Sequence, residues 1–314
     1  MNVYLKVPEF IKEARTSRRG HRLWLETLIF IAVFITSATL EGIPLVVSLL
    51  VRIFSSSEAL SVFASGNTEL IQTLLYSDDL YTIASLFSTI IMIATVIIYC
   101  RFIEKRKLRT MGFIKKDFIL EYAAGLLIGA FLFSAAVLIC YSTGTLTFNG
   151  ISPSFAASTL MLFLLAYMVQ GMSEEVLCRG YFMVSVSRKS SLVTAVLANS
   201  LVFGCLHLLN PGISVLSFIN LVLFGTFASV YMLRRGSIWG AAAIHSSWNF
   251  VQGNLFGVSV SGTGKTTSLL SSTLSSGGTL INGGAFGLEG GLGVTIVLVL
   301  GIAATLLVPH RMKD

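Results

Sequence analysis

Seven residues in the middle of the chain have types and spacings that suit hydrolysis of an acyl bond. Between residues 122 and 288 the only acids are Glu174 and Glu175, and the only histidines are His207 and His245. An ionisable side chain in so apolar a stretch is costly unless it is paired or hydrated. Four such groups on three separate apolar segments therefore mark a candidate site rather than scatter. Glu175 and Arg179 stand four apart with the acid first, the order that favours an ion pair on a helix. Glu174 lies about 100° further round the same helix and is free to face something else. Phe203 with His207, and His245 with Asn249, are two more pairs at the same helical spacing. Within such a set, Glu174 can act as a general base on water. His207 can hold that water, directly or through a bound metal, and His245 with Asn249 can donate hydrogen bonds to the developing oxyanion. No nucleophilic Ser or Cys is required.

These groups meet only if the elements that carry them place them at one depth. With a fourth helix running on to Arg188, Glu174 lies 14 residues from that end, about 21 Å at the helical rise. His207 then lies about 24 Å from Ser191, and His245 and Asn249 about 15 and 21 Å from Arg235. The four converge on that condition; if the helix stops near Ser173 they do not.

The background explains why so few residues stand out. Of 314 residues, 54% are hydrophobic and only 12% charged, about half the charged share of a soluble domain. An ordinary soluble globule and a disordered chain are both excluded. Apolar blocks of about 20 residues, the length that crosses a bilayer, run over 28–51, 80–100, 122–141, 155–173, 192–207, 213–233, 238–256 and 293–308. The expected fold is all-α: a polytopic transmembrane bundle of about eight spans, forming a single membrane domain over 1–314. Of the 22 Lys and Arg, 20 fall in alternate connections and the two termini, leaving only Arg52 and Lys265 on the other side. The positive-inside bias then puts both termini in the cytoplasm. The net charge of +7 becomes a one-sided skirt, with Arg101–Lys116 as a solvated cytoplasmic face, and nucleic acid is not expected as a partner. Cys100, Cys140, Cys178 and Cys205 read as packing residues.

Two connections on the far side are long. The first, 52–79, contains Glu58, Glu69, Asp78 and Asp79. The second, 257–292, has 22 Gly, Ser or Thr among 36 residues, the composition of a flexible loop. Inside it, Ser261-Gly-Thr-Gly-Lys265-Thr-Thr267 imitates a phosphate-binding loop. Ser259 stands where that pattern needs its first Gly, and no buried strand precedes it, so no nucleotide is expected.

Glu174-Glu175-Val-Leu-Cys-Arg179, Phe203-Gly-Cys-Leu-His207 and His245-Ser-Ser-Trp-Asn249 resemble the ordered motifs E-E-x-x-x-R, F-x-x-x-H and H-x-x-x-N. These are the motifs of the CPBP (CAAX protease and bacteriocin-processing, Abi) intramembrane proteases, which include the type II CAAX prenyl endopeptidases. The resemblance covers a core of about 155–256. It implies an endopeptidase of the cell membrane acting on a membrane-associated peptide or protein. Glu174 and His207 would activate water, His245 and Asn249 would stabilise the oxyanion, and Glu175, Arg179 and Phe203 would support the site. Family members are often described as metalloproteases, and a metal-free mechanism has also been drawn. Glu174, His207 and His245 are the residues that would ligate a divalent ion such as zinc. Cys178 departs from the family's usual aromatic residue before the Arg. The alternative reading is a non-catalytic membrane scaffold or bacteriocin self-immunity protein.

Overall fold

The computed structural model describes residues 6–17, 20–67 and 79–307. The positions of Arg18, Arg19, Glu69, Asp78, Arg311 and Lys313, and with the last two the placement of the C-terminus, lie outside the described residues, as do the side chains of Arg52 and Glu58.

The chain is a bundle of helices with one small ribbon. In chain order the elements are α1 (Glu9–Ser17), α2 (Leu23–Ser55), α3 (Ser57–Ala64), α4 (Asp79–Ser88), α5 (Ile90–Ile98), α6 (Phe118–Ser142) and β1 (Leu146–Ile151). There follow α7 (Ala157–Glu175), α8 (Leu192–Cys205), α9 (Val215–Arg235), α10 (Trp239–Phe250), β2 (Leu270–Leu274) and α11 (Leu292–Leu307). Among the described residues, five helical stretches are long and apolar enough to cross a membrane: Leu23–Val51, Asp79–Ile103, Phe118–Ser142, Ala157–Ser187 and Val215–Arg235. Many of their large apolar side chains face outward, among them Ile31, Ile35, Leu127, Phe131 and Leu138, which suits contact with lipid rather than water. The protein is a multi-pass membrane protein. The other three expected spans form shorter helices: α8 with 14 residues, α10 with 12 and α11 with 16.

The fourth helix does continue. From Glu175 it passes through a π-helical segment, Val176–Met183, into a last turn, Val184–Ser187. Every residue from Glu175 to Ser187 is buried, so the long helix is accommodated by protein on its second half. The wider π turn falls on the Glu175–Arg179 motif, a placement typical of functional sites.

Helix α10 carries His245 and Asn249 and packs chiefly on α6 and α7. Gly125 and Gly129 on α6 allow this approach: a Cβ on the first would collide with Gly240 O, and one on the second with Ser247 Oγ and Ile244 O. Small residues four apart are the usual device for close packing of helices in membranes. Gly129→Val is therefore expected to lower stability by about 1–3 kcal/mol or more through overpacking. A thermal melt of the detergent-purified variant indistinguishable from wild type would refute this close contact.

The basic end of the bundle is more buried than its charge suggests. Arg106 is fully buried, donating to Glu104 Oε2 at 2.6 Å and to Ser185 Oγ at 3.2 Å. Arg188 reaches both Glu104 and Glu26. The Arg101–Lys116 cluster is thus not wholly a solvated face: its central Arg is desolvated because carboxylates and hydroxyls take over from water. The arm α1 lies on this end, with Arg15 Nε donating to Ser187 O at 2.9 Å.

The segment 257–292 also departs from expectation. Instead of a free loop it is folded onto the bundle. Strand β2 pairs antiparallel with β1, matching Leu146 with Leu274 and Phe148 with Ser272. Asn254 Nδ2 donates to Thr267 O at 2.7 Å, Asn282 Nδ2 to Thr145 O at 2.8 Å, and Thr267 N to Asp79 Oδ1 at 3.0 Å. Its glycines let backbones touch: a Cβ on Gly262 would collide with Pro211 O. Polar anchors and close backbone contacts supply the order that its few apolar side chains do not.

Candidate active site

The seven residues come together. Glu174, His207, His245 and Asn249, with Phe203, line one cavity of about 200 Å³. Helix α4 closes one side through Tyr81, Thr82 and Ser85, and the 257–292 segment forms a roof through residues such as Val258 and Ser261.

Glu175 and Arg179 are buried beside the cavity. Both side chains are inaccessible to solvent, and Arg179 Nη1 donates to Glu175 Oε1 at 2.9 Å. The same Oε1 accepts from His245 Nδ1 at 2.9 Å. An ionised carboxylate can only accept, so His245 carries a proton on Nδ1. Its Nε2 lies 3.8 Å from Glu174 Oε2. One carboxylate thus orients the imidazole and the other meets its far nitrogen.

His207 follows α8 in a turn, its N–H donating to Gly204 O at 3.1 Å. Its Nδ1 lies 2.9 Å from Phe203 O, and since a carbonyl only accepts, Nδ1 is the protonated nitrogen and Nε2 is left with a lone pair. Phe203 sits between Arg179 and the two imidazoles. The Arg179 guanidinium lies 4.5 Å from its ring centre, and the His207 and His245 rings at 4.9 and 5.9 Å. The ring packs among them and receives the Arg179 cation on its face.

Several site residues were not foreseen. Gln170 lies one helical turn before Glu174, and its Nε2 donates to Glu174 Oε1 while its Oε1 accepts from Asn249 Nδ2 at 3.0 Å. It joins the carboxylate on α7 to the amide on α10. The i, i+4 spacing of Gln170 and Glu174 was a usable signal. Glu289, buried and facing the same cavity, lies one residue past the 122–288 window. Glu41 on α2 is a further acid, close enough to Glu174 for their charges to interact. The α4 residues carry no sequence signal of a site.

Glu174, His207 and His245, the residues that would ligate a metal, line the same cavity; among the described residues, no three His, Cys, Asp or Glu side chains are grouped to hold a metal ion. Glu175 and the Phe203 carbonyl hold the Nδ1 atoms of His245 and His207, which leaves the Nε2 atom of each ring as the one available to a ligand. The phosphate-loop imitation runs as irregular chain, and Lys265 Nζ donates to Ser272 O at 2.7 Å. All four cysteines are free thiols, three of them buried.

Residues 156–251 match the family model described as Rce1-like, type II CAAX prenyl endopeptidase Rce1-like. No curated protein and no solved structure matches the chain significantly. The matched segment spans α7 to α10 and contains all seven motif residues. The match covers 96 of the 314 residues and supports the resemblance of this segment to the CAAX protease (CPBP) family, a family of endopeptidases.

Proposed function

We propose that this chain is a CAAX-protease-type intramembrane endopeptidase of the cell membrane that hydrolyses a peptide bond of a membrane-associated peptide or protein. The observation that carries this reading is the meeting of Glu174, His207, His245 and Asn249, from separate helices, on one small cavity.

In this reading a water molecule sits between the Glu174 carboxylate and His207 Nε2. Glu174 takes its proton as the oxygen attacks the scissile carbonyl carbon. The oxyanion that forms is met by the second Nδ2 hydrogen of Asn249, whose first is held by Gln170. His245 Nε2 donates as well in the imidazolium form, whose charge lies between two carboxylates. Donors already in place at a developing charge are the largest single source of catalysis in acyl transfer. Collapse of the tetrahedral intermediate breaks the C–N bond, and Glu174 returns the proton to the departing amine. Arg179 and Glu175 take no part in the proton transfers and hold His245 in place.

The test is cleavage of a quenched-fluorescent farnesylated CAAX-type peptide by the full-length chain in liposomes, with and without a zinc chelator. Because no step above needs a metal, the cleavage rate is expected to stay within about twofold after chelation. Loss of cleavage restored by added zinc would contradict the metal-free route.

A further inference from the structure

Glu289 belongs to no motif, yet its carboxylate accepts four hydrogen bonds beside the cavity. Oε1 accepts from Trp248 Nε1 at 3.2 Å. Oε2 accepts from Ser261 N at 2.7 Å, Ser261 Oγ at 2.8 Å and Gln252 Nε2 at 3.3 Å. Asn220 Nδ2 on α9 holds the Glu289 backbone carbonyl at 2.8 Å. Two of the four donors, those of Trp248 and Gln252, flank Asn249 on α10 and its π continuation. The other two are groups of Ser261 in the roof. The carboxylate is therefore shared between the helix that presents the oxyanion-binding amide and the segment that covers the cavity.

We propose that Glu289 is a positioning residue: it clamps the roof segment to the Trp248–Gln252 turn, holding Asn249 in place and closing the cavity at its far end. This rests on the hydrolytic reading of the site. A carboxylate is needed because all four partners donate and only an acceptor on both oxygens can satisfy them. An amide of the same shape must turn an N–H group against either Trp248 Nε1 or the Ser261 and Gln252 donors.

The experiment uses the full-length chain in liposomes in a Cys205→Ser background, since Cys205 is the one exposed cysteine among the four. Val258→Cys places a thiol at a buried roof position that lines the cavity. N-ethylmaleimide labelling reports roof opening, and the farnesylated peptide reports turnover. Glu289→Gln is expected to raise labelling of that cysteine at least about tenfold, because local opening sets access to a buried thiol. It is also expected to lower kcat at least about tenfold with KM within about threefold, because a small misplacement of a transition-state donor costs rate rather than binding. Ser261→Ala, which removes one of the four donors and keeps the other three, should fall between wild type and Glu289→Gln in both readouts. It serves if Glu289→Gln does not accumulate. Labelling at the wild-type rate in the variants overturns the clamp whatever the kinetics. Glu174→Gln is the control for the underlying reading: if it cleaves like wild type, the hydrolytic assignment fails, and the labelling result still decides whether Glu289 holds the roof.

Discussion

Glu174→Gln is expected to lower kcat for the farnesylated peptide by about 10²–10⁴, the usual contribution of a general base, while the protein accumulates in the membrane as before. The substitution keeps the shape of the side chain. Gln170 Nε2, which now donates to Glu174 Oε1, would still find an amide oxygen there. His245 remains oriented by Glu175 through Nδ1. What is lost is the capacity to take a proton from water, so the effect isolates chemistry from folding. Kinetics of the purified variant in liposomes give the number. Unchanged kcat would remove Glu174 from the mechanism and favour a scaffold that retains the motifs without using them.

The second large effect is on stability. Arg179 and Glu175 are both inaccessible to solvent, so Arg179→Met would strand the Glu175 charge with His245 as its one remaining partner among those described. Breaking one side of a buried ion pair costs about 3–5 kcal/mol, enough to deplete the folded protein. Arg179→Lys should rescue little, because a compact ammonium cannot both reach Glu175 and lie flat on the Phe203 ring. The double variant Glu175→Gln with Arg179→Met removes both charges and should recover most of the folded protein, yet remain slow because His245 has lost its carboxylate. Membrane accumulation and thermal melting of the three variants measure this. A single Arg179→Met variant melting within about 1 °C of wild type would show that the pair contributes little.

The helical frame was legible because a bilayer imposes a simple code. Apolar runs of span length gave the helices, and the few ionisable residues within them stood out. The Glu175–Arg179 pair and the Phe203–His207 contact followed from spacing alone. The continuation of the fourth helix was legible only as a condition, because the sequence does not show that residues 175–187 are buried in protein. The π segment over Val176–Met183 left no mark in the periodicity. The roof was misread because composition reports apolar surface, whereas 257–292 is ordered by single polar anchors such as Asp79, Asn282 and Glu289 and by glycines that let backbones touch. Arg106 was misread for a related reason: a charge cluster shows its sign but not which member is turned inward to Glu104.

The central claim is that this chain cuts peptide bonds with Glu174, and it does not depend on any one substrate being guessed correctly. Membranes from cells producing wild type or Glu174→Gln at matched levels can be compared for all peptide termini by mass spectrometry. The account predicts a set of new C-termini, arising from cuts in membrane-associated peptides or proteins, that is present with wild type and missing with the variant. Identical termini in the two membranes would contradict it.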